Sequence, residues 1–64
     1  MDEFLQIAQT YYNQGVRLSN NQNYIGAITC FENSIREEPT LYFAFIERGL
    51  CYYHLGNNSM DVEF

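Results

Sequence analysis

The chain has 64 residues, three Arg, no Lys and eight Asp plus Glu, for a formal net charge of −5 with 47% hydrophobic and 17% aromatic residues. A chain of this length buries only about 60% of the surface its unfolded form exposes, so it builds one small core and leans on disulfides, metal or association for stability. Six Tyr and five Phe exclude a disordered tail, and three scattered cations, Arg17, Arg36 and Arg48, argue against nucleic acid or an anionic membrane as partner.

Leu5, Ala8, Tyr11, Tyr12, Gly15 and Leu18 recur at three- and four-residue steps and predict an amphipathic helix from near Asp2 to Ser19. Asp2 and Glu3 suit the positive end of its dipole. The run Ser19-Asn20-Asn21-Gln22-Asn23 breaks the pattern, with Asn expected to leave the helical region or to cap the next segment. A second stripe, Tyr24, Ala27, Ile28, Phe31, Ser34 and Ile35, predicts a helix that ends at Glu38, because Pro39 disfavours helical geometry in the residue before it. Glu32 and Arg36 form an i,i+4 pair within it. The third stripe, Leu41, Phe45, Gly49, Tyr52 and Tyr53, runs on to Leu55, with Gly56-Asn57-Asn58 expected to stop the helix and Ser59 to Phe64 left as the start of a fourth helix or a frayed end. No stretch alternates with period two. The chain therefore reads as all-α, a single domain over residues 1–64, with short connections that make successive helices antiparallel neighbours.

Sliding the chain against itself by 34 residues superposes Gly15 on Gly49, Tyr11 on Phe45, Val16 on Leu50, Leu18 on Tyr52, Asn23 on Asn57 and Ile28 on Val62. A two-helix period of that length is the signature of tetratricopeptide repeats. The stretch Tyr11-x-x-Gln14-Gly15-x-x-Leu18, followed by Ala27-x-x-x-Phe31-x-x-Ser34 and Pro39, resembles that family's pattern of aromatic, Leu-Gly, Tyr, Ala, Phe, Ala and Pro. Gly15 and Ala27 allow two helix backbones to approach, Phe31 fills the space between them, and Pro39 resets the chain direction. Gln14 and Ser34 depart mildly from the family's Leu and Ala, and Asp61 takes the small-residue place held by Ala27 in the first copy. The resemblance implies antiparallel helical hairpins of solenoid type, one repeat over about residues 8–41 and a second over about 42–64 that stops inside its second helix. Arrays of this kind bury each unit against its neighbours. Self-association is the expectation, as a homodimer, with helix exchange as one route.

In that family the first helix of each repeat lines a concave groove for a partner's peptide. The resemblance places Gln9, Tyr12, Asn13, Val16 and Ser19 there in the first copy and Phe43, Ile46, Glu47, Leu50 and Tyr53 in the second. Members that bind chaperone C-termini grip the terminal carboxylate with Lys, Asn and Arg. Tyr12, Val16 and Glu47 stand at the corresponding places, which removes the charge-assisted donors such a clamp needs. An amphipathic helix along an apolar groove fits better. The same side chains equally suit packing on a neighbouring repeat or a second subunit.

Little else in the sequence carries chemistry. Cys30 and Cys51 lie in no CxxC pairing and read as buried, reduced thiols. Cys51-x-x-His54 with Cys30 supplies three potential zinc ligands where a structural site wants four, and His54 reads instead as a partly exposed side chain at a helix end. Cys-His catalysis needs an orienting group, an oxyanion hole and a walled pocket that so small a chain hardly provides. The glycines are too widely spaced for a phosphate loop. No apolar run approaches the ~18 residues of a membrane span, and Met1-Asp2-Glu3 lacks the basic start of a signal peptide, so a cytoplasmic location is expected. The expectation is thus a non-catalytic protein-interaction module without cofactor or metal. Its rivals are a structural fragment of a longer solenoid and, with least support, a small Cys/His metal-binding protein.

Overall fold

A computed structural model describes residues 2–59, with side chains through Gly56. Three helices follow one another: α1 (Glu3–Asn20), α2 (Tyr24–Glu37) and α3 (Tyr42–Ser59). Among the described residues there is no strand.

Asp2 starts α1 as its N-cap, its Oδ1 accepting from the amides of Phe4 at 3.0 Å and Leu5 at 3.2 Å, which satisfies two of the donors a helix start leaves unpaired. The end of α1 is a Schellman motif: the Asn23 amide donates to the Leu18 carbonyl at 2.8 Å and the Gln22 amide to that of Ser19 at 2.9 Å. The left-handed residue this turn requires is Gln22, with φ at 66°, not one of the asparagines expected for it. Asn23 then caps α2, its Oδ1 accepting from the Gly26 amide at 3.1 Å. At the far end Glu38 is extended, with φ −147° and ψ 91°, the geometry that Pro39 imposes on its predecessor.

The first two helices form an antiparallel hairpin, since Ala8 meets Ser34 near one end and Gly15 meets Phe31 further along. The expected stripes face inward. Ala8 and Gly15 are buried on α1, and Ala27, Ile28, Phe31 and Ser34 on α2. A Cβ built on Gly15 would stand 2.6 Å from Phe31 Cε1, so the ring lies directly on bare backbone. Ser34 carries its polar atom into this contact and donates from Oγ to the Ala8 carbonyl at 2.8 Å, which satisfies a hydroxyl that would otherwise be buried without a partner.

α3 crosses α2 antiparallel to it, with Tyr24 beside His54 at one end and Glu32 beside Tyr52 further along. Here the structure differs from the sequence reading in several places. The helix runs through Gly56-Asn57-Asn58 to Ser59, and no described glycine has a positive φ. Glycine in a helix costs about 1 kcal/mol against alanine, a weak penalty that need not end it. Residues beyond Ser59, where a fourth helix was an alternative, lie outside those described. His54 consequently sits within α3 rather than at its end. The buried face is also different: α3 turns Ala44 and Cys51 inward with Leu55 half-buried, as is Leu41 just before the helix, while Phe45, Gly49, Tyr52 and Tyr53 are exposed. A helix that is apolar on nearly every side gives periodicity no single face to select, and small Ala44 and Cys51 let the backbones approach most closely. Glu32 and Arg36 make other contacts than the expected pair, Glu32 accepting from Tyr52 and Arg36 donating to Asn33.

The core comprises Ala27, Ile28, Phe31 and Cys51, wrapped by Tyr12, Val16, Leu18, Tyr24 and Leu55. An envelope of 48 × 20 × 13 Å leaves every helix an open face. No described helix is long and apolar enough to cross a membrane.

Candidate protein-interaction site

Tyr12 links the core to the surface. Its ring lies 5.7 Å from that of Phe31, tilted by 52°, and 6.5 Å from that of Phe43 on α3. Burial pushes the Tyr12 hydroxyl above its ordinary pKa, and the nearby Glu47 carboxylate adds to the shift, because both disfavour a phenolate. Phe43, Glu47 and Leu50 follow at steps of four and three residues along the same side of α3. Phe43 is 62% exposed and Leu50 47%. Tyr12, Phe43, Glu47 and Leu50 thus compose a shallow apolar strip with one acid, formed by α1 and α3 together.

The other residues expected in the groove divide. Val16 is half-buried against the core. Ser19 hydrogen-bonds the Cys51 thiol with its side chain, tying the end of α1 to the middle of α3. Gln9 and Asn13 stand exposed on α1. Ile46 and Tyr53, seven residues apart, fall with Gly49 further round α3 on its outer side, and the ring of Tyr53 meets His54 edge-on at 5.7 Å.

The Cys/His set does not converge. Cys51 is buried and free; burial is the main reason its thiol is pushed up, Glu47 acting in the same direction and the Ser19 hydrogen bond against it. Cys30, expected to be buried, is only half-buried, with Sγ 4.0 Å from Gln14 Oε1. His54 is exposed, its ring stacked on Tyr24 at 5.0 Å and 16°. Among the described residues no three His, Cys, Asp or Glu side chains are grouped to hold a metal ion.

The sequence reading missed the outer side of α3 as a surface, having taken Phe45, Gly49 and Tyr52 for the buried stripe. Arg48 places its guanidinium 5.6 Å from the centre of the Phe45 ring, and the Tyr52 hydroxyl lies 3.4 Å from Glu32 Oε2. The missed signal is the lack of any charge at positions 42, 45, 46, 49, 52, 53 and 56, which share that side.

Comparison with protein-family models, curated proteins and solved structures gives no match to this chain.

Proposed function

We propose that the chain is a non-catalytic protein-interaction module of the tetratricopeptide-repeat kind, holding an amphipathic partner helix along the strip of Tyr12, Phe43, Glu47 and Leu50. The observation that carries this reading is the exposure of Phe43 beside Tyr12 and of Leu50 two turns further along α3, because apolar area left in water next to so small a core is available for a partner to cover. Aromatic side chains suit such faces, contributing large area with little rotamer entropy to lose. Glu47 on the strip and the net charge of −5 favour a partner helix with basic flanks. The packing of Phe31 on Gly15 beside a fully buried Ala27 supports the repeat resemblance, since those residues carry the family pattern. Cys51, a neutral core thiol, and His54, stacked on Tyr24, have the surroundings of packing residues rather than of a nucleophile and base.

Fluorescence anisotropy with a labelled Leu/Lys amphipathic helix, set against a Leu/Glu helix of the same pattern, tests the reading. The basic helix is expected to bind more tightly, and Phe43→Ser with Leu50→Ser to weaken it about tenfold or more, a loss of ~1.4 kcal/mol, with helical circular dichroism unchanged. Equal binding of both peptides, or no effect of the double substitution, would overturn it.

A further inference from the structure

The outer side of α3 is a second apolar face, on the flank away from the Tyr12 strip. Tyr42 is 73% exposed, Phe45 40%, Tyr52 53% and Tyr53 62%. Between these rings stand two positions without a side chain, Gly49 and Gly56, where a Cβ would project from the helix into open space. The rings are held in place beforehand, Phe45 beneath Arg48 and Tyr52 against Glu32, which reduces the entropy lost when they are covered.

The order of large and small residues on this face has a symmetry. Phe45, Gly49, Tyr52 and Gly56 are separated by four, three and four residues. Reversing the helix keeps the spacing and exchanges every ring for a glycine. A second α3 laid antiparallel, with its two-fold axis between Leu50 and Cys51, therefore sets Tyr52 on Gly49 of the second copy and Phe45 on Gly56 of the second copy, four contacts from one register. This exchange is compatible with a two-fold interface, in which residue i meets residue j wherever j meets i. The hairpin already packs a ring in this manner, with Phe31 seated on Gly15.

Area and charge favour the same occupant. At about 150–250 Å² for each ring, the exposed fractions of these four side chains leave about 340–570 Å² on each copy, and Ile46, 57% exposed, brings a pair that covers all of it near the ~1,000 Å² at which specific interfaces begin. The helix residues of the face are themselves uncharged, and the two charges that border it, Arg48 over Phe45 and Glu32 beside Tyr52, are of opposite sign. The chain as a whole carries −5, so two copies meet less repulsion here than elsewhere. We infer that the outer face of α3 is a homodimer interface, formed by antiparallel pairing of two α3 helices with the rings of Phe45 and Tyr52 seated on Gly56 and Gly49 of the opposite copy.

Sedimentation equilibrium on the full chain across a concentration series tests this pairing. The wild type is expected to dimerise, and more tightly as added salt screens the net charge. Gly49→Leu adds apolar area and helix propensity, so a face that is merely adhesive would associate more strongly. Seated rings predict the reverse, a dissociation constant raised about tenfold or more. Adding Tyr52→Ala to Gly49→Leu exchanges large for small at the paired positions and is expected to restore most of the affinity. Gly56→Leu with Phe45→Ala repeats the test at the other contact, and circular dichroism verifies folding of each variant. A wild type that stays monomeric overturns the proposal in favour of a foreign helix on this face, as does a Gly49→Leu chain that dimerises as well as wild type. None of these substitutions touches Tyr12, Phe43 or Leu50, so either reading can fail alone.

Discussion

The Phe31 ring rests on Gly15, where a Cβ would stand 2.6, 2.8 and 2.9 Å from Cε1, Cζ and Cδ1. Phe31 is fully buried and has no room to swing aside. Gly15→Ala is therefore expected to destabilise the chain by about 1–3 kcal/mol through overpacking, although alanine is the better helix former by about 1 kcal/mol. Gly49→Ala, with open space around it in the single chain, should instead stabilise the monomer by about 0.5–1 kcal/mol, read at concentrations too low for pairing through α3. Urea denaturation of the two variants checks the pair. A gain of stability in both would mean that Phe31 does not seat where described.

That contact was legible in the sequence, because α1 and α2 each carry one apolar stripe and the short turn between them sets the two stripes face to face. Pro39 fixed the end of α2 equally plainly. α3 was not legible in the same way. Its apolar residues encircle it, so the choice of Ala44 and Cys51 as the buried face depends on how closely the backbone of α2 approaches, a distance that periodicity does not encode. The candidate groove divided for the same reason: Phe43 and Glu47 stand near Tyr12 with Leu50 on the same side of α3, whereas Ile46 and Tyr53 fall further round the helix. The Ser34 hydroxyl was read as a mild departure from alanine, and its partner, the Ala8 carbonyl, is visible only once the helix separation is known.

Ser34→Ala removes that hydrogen bond with little change of volume. The expected cost is about 0.5–1.5 kcal/mol, the usual net value of one such bond. Ser34→Val, which also forces branched bulk between α1 and α2, should cost more. Thermal melts of the two variants distinguish the effects, and a Ser34→Ala chain as stable as wild type would show that the bond contributes nothing.

Ala27 has no exposed surface and lies in the core with Ile28, Phe31 and Cys51. Ala27→Leu should cost roughly 1–3 kcal/mol by overpacking. An unchanged melting point would place Ala27 outside the helix contact and count against the proposed repeat.

Gln22 occupies the left-handed position of the Schellman turn at φ 66°, where a side chain costs about 1–2 kcal/mol relative to glycine. Gln22→Gly relieves that strain but gives the unfolded chain more freedom, so the net gain should be nearer 0.5–1 kcal/mol. Asn23, which ends one helix and caps the next, behaves oppositely: Asn23→Ala should lose about 1 kcal/mol. Chemical denaturation midpoints that move the other way would place the turn in a different geometry.

Stability should fall in alkali through two groups at the α1–α3 contact. Cys51 and Tyr12 both have folded pKa values raised above their ordinary 9.0 and 10.0, in each case chiefly by burial. The folded chain holds these protons more tightly, so as pH rises the unfolded state releases them first and binds fewer. The slope of unfolding free energy against pH is then negative. The contribution is fully present below the ordinary values and is lost as pH climbs through them toward the raised folded ones. Urea midpoints at about pH 7 and about pH 10.5 should show the decline, with Tyr12→Phe and Cys51→Ala each removing part of it. Because Glu47 contributes to both shifts, Glu47→Gln should flatten the slope without abolishing it; a slope unchanged by all three substitutions would place the alkaline sensitivity elsewhere in the chain.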